Sequence, residues 1–160
     1  MIKRIIGHSA SGLDLFSNEK WLDIEQLAEI ELTSEDPDYP IEGALLPGGE
    51  GRGWRAAERG EQIIRLIFNQ IIPLRRTKLQ FIEDRVERTQ EFVLRASSDI
   101  AGPFREIVRQ QWNFSPPGTA SEVEDYQVNL DQVKVLELAL TPDVRANSTA
   151  IASMAVWRIA

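Results

Sequence analysis

The sequence predicts an all-β chain, folded as one antiparallel β-sandwich, and three observations carry that expectation. From Glu61 to Thr141, apolar segments rich in Ile, Val, Leu and Phe alternate with short turns carrying Pro, Gly, Asn and Asp. Several of these segments have period two: Phe92, Leu94 and Ala96 share a face, as do Tyr126, Val128 and Leu130, and again Leu136, Leu138 and Leu140 ahead of Pro142. A strand with one dry side and one wet side reads this way. Finally, a chain of 160 residues without cysteine is long enough to remove roughly 70% of its unfolded surface from water. Packing, rather than disulfides or thiolate metal sites, must then hold it together.

Residues 1 to 20 mix Gly, Ser, Asn and Asp with isolated hydrophobes and read as an extended arm over the sandwich or as a lead-in to it. Trp21, Ile24, Leu27 and Ala28 have helical spacing, whereas Ala28, Ile30 and Leu32 alternate with Glu29, Glu31 and Thr33, which predicts a helical turn followed by a strand. A polar turn at Ser34 to Pro40 and a flexible loop at Pro47 to Gly53 enclose a segment, Ile41 to Leu46, that must pack. Within Glu61 to Ile72 the residues Ile64, Ile67, Phe68 and Ile71 also fit a helical stripe. The crowd of β-preferring residues between Gly60 and Pro73 favours a strand to about Phe68, then a turn. A further strand is expected over Leu74 to Ile82, with Thr77, Leu79 and Phe81 facing in. Glu83 to Gln90 reads as a solvated connection. Phe104 to Trp112 has helical spacing at Phe104, Ile107 and Val108, but its place between two turn signals predicts a hairpin partner for Phe92 to Ala96. The last strand is expected over Ile151 to Ile159.

The net charge is −7, from 18 Lys and Arg against 25 Asp and Glu. That balance opposes nucleic-acid binding, which needs cations to replace the counterions along phosphates. No run approaches the ~20 apolar residues of a membrane span, and no signal-peptide pattern follows Met1, so a soluble cytoplasmic protein is expected. His8 is the only histidine and lies in a polar lead-in, a poor basis for a Ser-His-Asp triad or a metal site. The Gly48 to Gly53 loop lacks the Gly-Lys-Ser/Thr ending of a phosphate loop. The acidic group Glu122, Glu124 and Asp125 reads as surface acidity before it reads as a pair of catalytic carboxylates.

The order Gly53-Trp54-Arg55-Ala56-Ala57, Ile64-Arg65-Leu66-Ile67-Phe68, Leu74-Arg75-Arg76-Thr77-Lys78-Leu79, Glu91-Phe92-Val93-Leu94-Arg95-Ala96-Ser97, Phe104-Arg105-Glu106-Ile107 and Val135-Leu136-Glu137-Leu138, closed by Ala152 to Ile159, resembles discoidin-like domains of the galactose-binding-like superfamily. The resemblance implies a jelly-roll β-sandwich over 28–160, which leaves 1–27 as an N-terminal arm in which the spacing above allows a short helix. It also implies a non-catalytic module that binds through loops at one end, and a buried tryptophan at Trp54. Relatives commonly hold a structural calcium with the help of an Asp-Gly turn, where Glu42-Gly43 stands here, and a last-strand Glu, where Val156 falls. Neither residue matches; a structural calcium is the one cofactor the resemblance leaves open, and no other is expected.

One constellation invites a ligand: Gln111-Trp112-Asn113-Phe114-Ser115-Pro116-Pro117-Gly118. Aromatic faces stack on sugar rings, and amides and guanidinium groups bond hydroxyls directionally. Trp112, Asn113 and Phe114, with Arg52 and Arg55, are therefore the candidate ligand contacts; Trp112 and Phe114 serve equally as plugs for the end of the sandwich. Trp21 and Trp157 are assigned to packing. The function expected first is carbohydrate binding. Protein–protein interaction comes second, and binding of single-strand or nicked nucleic acid, against the charge, third.

Overall fold

We describe the fold from a computed structural model for residues 20–47, 52–145 and 149–160. The expected arm up to residue 19, with His8, and the part of the flexible loop at 48–51 lie outside the described residues. In chain order the elements are α1 (Ile24–Leu27), β1 (Ala28–Leu32), α2 (Glu42–Leu45), β2 (Trp54–Arg59), β3 (Gln62–Ile82), β4 (Arg88–Ser97), β5 (Arg105–Phe114), β6 (Ser121–Thr141), β7 (Ile151–Met154) and β8 (Val156–Ile159). Strand takes up about 63% of the chain against 6% helix, which resolves the ambiguous segments in favour of β-structure.

The architecture rests on two strands of 21 residues each, β3 and β6, paired antiparallel along their length. The first half of β3 pairs with β1 and with the second half of β6, which in turn pairs with β4, and β4 with β5. The second half of β3 pairs with the first half of β6 and with β8. Between these halves the register shifts three times, across Ile67 to Arg76, so both strands bend and their halves face each other. The core closes between them. Phe81 on the second half of β3 meets Phe92 on β4 at 5.4 Å between ring centroids, and Ile64, Leu66, Phe68, Leu74, Leu79, Leu138 and Trp157 are fully buried around them. A separate ribbon, β2 with β7, carries Trp54 into the same core.

Four expectations are corrected. No turn divides Phe68 from Leu74: β3 runs through Pro73, because the register shifts on either side of Ile72 open a gap in the ladder where no proline N–H is needed. Tyr126 to Leu130 and Leu136 to Leu140 belong to one strand, β6. The last strand divides at Ala155, whose N–H donates to Gln80 O at 2.8 Å, so that β7 stays with β2 while β8 joins β3. Nor is the segment to Gln90 wholly solvated. β4 begins at Arg88, and Arg88 and Gln90 are buried on the face that carries Phe92 and Leu94.

Candidate functional site

The start of β4, the end of β5 and the segment after β6 meet at one end of the sandwich. Cross-strand register sets Arg88 opposite Phe114, Thr89 opposite Asn113 and Gln90 opposite Trp112. Because facing residues of an antiparallel pair share a side, Arg88 and Phe114 look into the core while Thr89 and Asn113 look out. The outward pair is tied by Thr89 Oγ1 donating to Asn113 Oδ1 at 2.7 Å. The chain beyond β6 is fastened to the same corner. Val144 N–H donates to Thr89 O at 2.8 Å, and Asp143 Oδ1 accepts from the N–H groups of Thr89 (3.3 Å) and Arg145 (3.0 Å). On the far side a tight turn, with Gly118 N–H donating to Ser115 O at 3.0 Å, folds the chain back from β5.

These pieces enclose a cavity of about 310 Å³ lined by Glu87, Arg88, Thr89, Asn113, Phe114, Ser115 and Arg145. Its inner wall is Arg88, 1% exposed. The guanidinium lies over the Phe114 ring, 4.9 Å from its centroid. Nε donates to Glu83 Oε1 at 2.7 Å, and Nη1 donates to Gln90 Oε1 at 3.0 Å and to Pro142 O at 2.9 Å. Nη2 is buried and has no partner among the described residues. Burial pushes the Glu83 carboxyl up, but hydrogen bonds from Arg88 and from the N–H groups of Arg85 and Val86 outweigh it and hold the group below its ordinary value. At the rim, Arg145 Nη1 stands 3.6 Å from Glu87 Oε1. The cavity thus offers an amide, two hydroxyls, a guanidinium and a carboxylate around one buried cation.

Behind it the polar seam continues inward: Gln90 Nε2 donates to Glu122 Oε1 at 3.4 Å. Burial, a hydrogen bond to Glu124 and repulsion from that same carboxylate together push Glu122 up to about 8, against weaker pulls from Gln90 and Arg88. The other Glu122 oxygen, Oε2, is buried without a partner among the described residues.

Of the residues singled out from sequence, the structure brings Asn113 and Phe114 to this cavity. Phe114 is fully buried, so it supports Arg88 rather than offering a face to a ligand. Trp112 is half-buried, one residue pair further along the core face; its indole N–H is buried without a partner among the described residues, and it is not part of the lining. Arg52 and Arg55 stand apart, just before and on β2 in the two-stranded ribbon, with Arg55 over the Tyr39 ring at 5.3 Å. The sequence reading missed Glu87, Arg88, Thr89 and Arg145. Arg88, Gln90 and Phe92 continue the alternation of β4, a signal masked by their charged neighbours. A larger hollow, about 500 Å³, lies at the opposite end among Ser97, Arg105, Asn129 and Asp131, but no buried unpartnered group faces it among the described residues.

Among the described residues, those at the two positions where the resemblance places calcium ligands do not fit the ion. Glu42 is exposed, the Val156 side chain brings no oxygen, and no group of three His, Asp or Glu among the described residues could hold an ion.

No protein-family model and no curated protein matches the sequence. Solved structures do match the fold. A CBM32 module of AlyQ, in complex with 4,5-unsaturated mannuronic acid, has a TM-score of 0.61 at 16% identity, covering 89% of this chain and 98% of that one. A CBM32 module from Clostridium perfringens, in complex with GalNAc-β-1,3-galactose, has a TM-score of 0.60 at 18% identity, covering 82% and 94%. Reduced XRCC1, bound to the DNA pol beta catalytic domain, has a TM-score of 0.60 at 11% identity, covering 84% and 95%. At these identities the likeness is one of fold. The chain is an all-β sandwich with the fold that these structures share.

Proposed function

We propose that this chain is a non-catalytic carbohydrate-binding module and that its site is the cavity between the start of β4, the end of β5 and Arg145. The observation that carries the reading is the cavity's lining: Glu87, Thr89, Asn113, Ser115 and Arg145 surround a buried arginine with a donor to spare. A sugar hydroxyl both donates and accepts, so a ring that mixes donors and acceptors suits a polyol. Glu87 and Arg145 balance each other's charge, which favours a neutral sugar. The acids near the cavity are already engaged, Glu83 by Arg88 and Glu87 by Arg145, an arrangement for binding rather than proton transfer. Among the structures of this fold, modules from C. perfringens were solved with galactose and with GalNAc. These two sugars are the first to try.

Calorimetric titration should give a saturable heat with a galactose-type sugar at millimolar concentration. Asn113→Ala and Arg145→Ala should each weaken binding by about tenfold, the equivalent of one hydrogen bond, with the melting temperature unchanged. Absence of any heat across neutral sugars, or variants that bind like the parent, would overturn the reading. A second reading, docking of a protein along β5, rests on that strand pairing, among the described strands, with β4 alone. Exposed Arg105, Glu106 and Arg109 blunt this edge as charged edge strands do, and a co-purifying partner insensitive to Asn113→Ala would favour it.

A further inference from the structure

We infer that the guanidinium of Arg158 is the resident cation of the α2 turn, filling by covalent attachment the structural role that a bound metal ion has in relatives. α2 is a single turn of four residues packed by buried Ile41, Ala44 and Leu45. Its entry is tied by Ile41 N–H donating to Glu35 Oε2 at 2.9 Å. Gly43 lies flush against the chain before β2, where an added Cβ would come within 2.6 Å of Gly53 O. The carbonyls at the end of so short a helix have no helical partner and need an external one. Arg158 on β8 supplies it: Nη1 donates to Ala44 O at 2.7 Å and to Trp157 O at 3.0 Å. The side chain is only 8% exposed, and no carboxylate among the described residues pairs with it. Backbone carbonyls are among the oxygens a hard metal ion takes, and here the guanidinium already occupies the carbonyl at this turn. The last-strand side chain that reaches the turn is therefore Arg158, not Val156, and its fixed charge repels any second cation from the same carbonyls.

The test is thermal unfolding of the full chain in millimolar calcium and in excess chelator. The melting temperature should be the same in both. Arg158→Met should melt roughly 5 °C or more below the parent, since an ionic hydrogen bond is lost and a buried carbonyl is left without its donor. Arg158→Lys, which keeps the charge but not the fork, should melt between the two. If Arg158→Met does not accumulate as folded protein, Arg158→Lys folding with its melting temperature again indifferent to calcium supports the inference. A parent protein that chelator destabilises and calcium restores would overturn it, and so would Arg158→Met melting with the parent or Arg158→Lys melting no higher than Arg158→Met.

Discussion

Arg88, Gln90 and Glu122 sit where the alternation of their strands calls for hydrophobes, and each is at most 1% exposed. Burial of such groups is costly unless they bond one another, and here they do so in a chain from Glu83 through Arg88 and Gln90 to Glu122. This seam was illegible in the sequence because charged residues are rarely buried, so a stretch such as Glu83 to Gln90 reads as solvent-facing. Asn113 was legible, as a polar residue in a turn-bounded aromatic stretch. Its partners were not, since register alone brings Thr89 opposite it. The seam has a pH consequence. Folded Glu122 keeps its proton to about pH 8, while the unfolded side chain loses it near 4.5. Between those values the folded state binds more protons, so stability falls as pH rises through this window. Glu122→Gln should flatten that slope, and urea denaturation across pH 5 to about 8 should show the variant losing less stability than the parent; parallel curves would refute the assignment.

At the scale of elements, the strands were legible wherever alternation was clean, as in β1 and the first half of β6, whereas Val135 to Leu140 in the second half of β6 are buried on both faces. The helical reading of Glu61 to Ile72 fails on one residue: Ile71, which a helical stripe would bury, is 54% exposed, whereas Ile64, Leu66 and Phe68 are fully buried in period two. What sequence could not convey is continuity. Proline ordinarily ends a central strand, yet Pro73 is exposed in a bulged bend where the ladder skips a bond. Two neighbouring substitutions should therefore differ sharply. Pro73→Ala should change stability by less than about 1 kcal/mol, whereas Leu74→Ala, fully buried next to it, should cost about 3 kcal/mol by chemical denaturation. Equal effects would mean that the bend itself depends on the proline.

At the scale of the molecule, the cavity opens at one end of the sandwich, while Leu22 N–H donates to Ile159 O at 2.8 Å and Arg75 N–H to Ala160 O at 2.7 Å at the other. The fold class was readable because the sequences of strands in both halves alternate, as at Phe92, Leu94 and Ala96 and at Tyr126, Val128 and Leu130. Their arrangement was not, since only the paired register of β3 and β6 reveals that one backbone serves both halves. That sharing leaves no seam along which the protein could come apart in stages. Losing either half would strip β3 and β6 of neighbours in the other, so amides of the two halves should exchange with solvent at one common limiting free energy, as a single cooperative unit. Hydrogen exchange that resolved two plateaus, one for each half, would show instead that the bends act as hinges between separately melting layers.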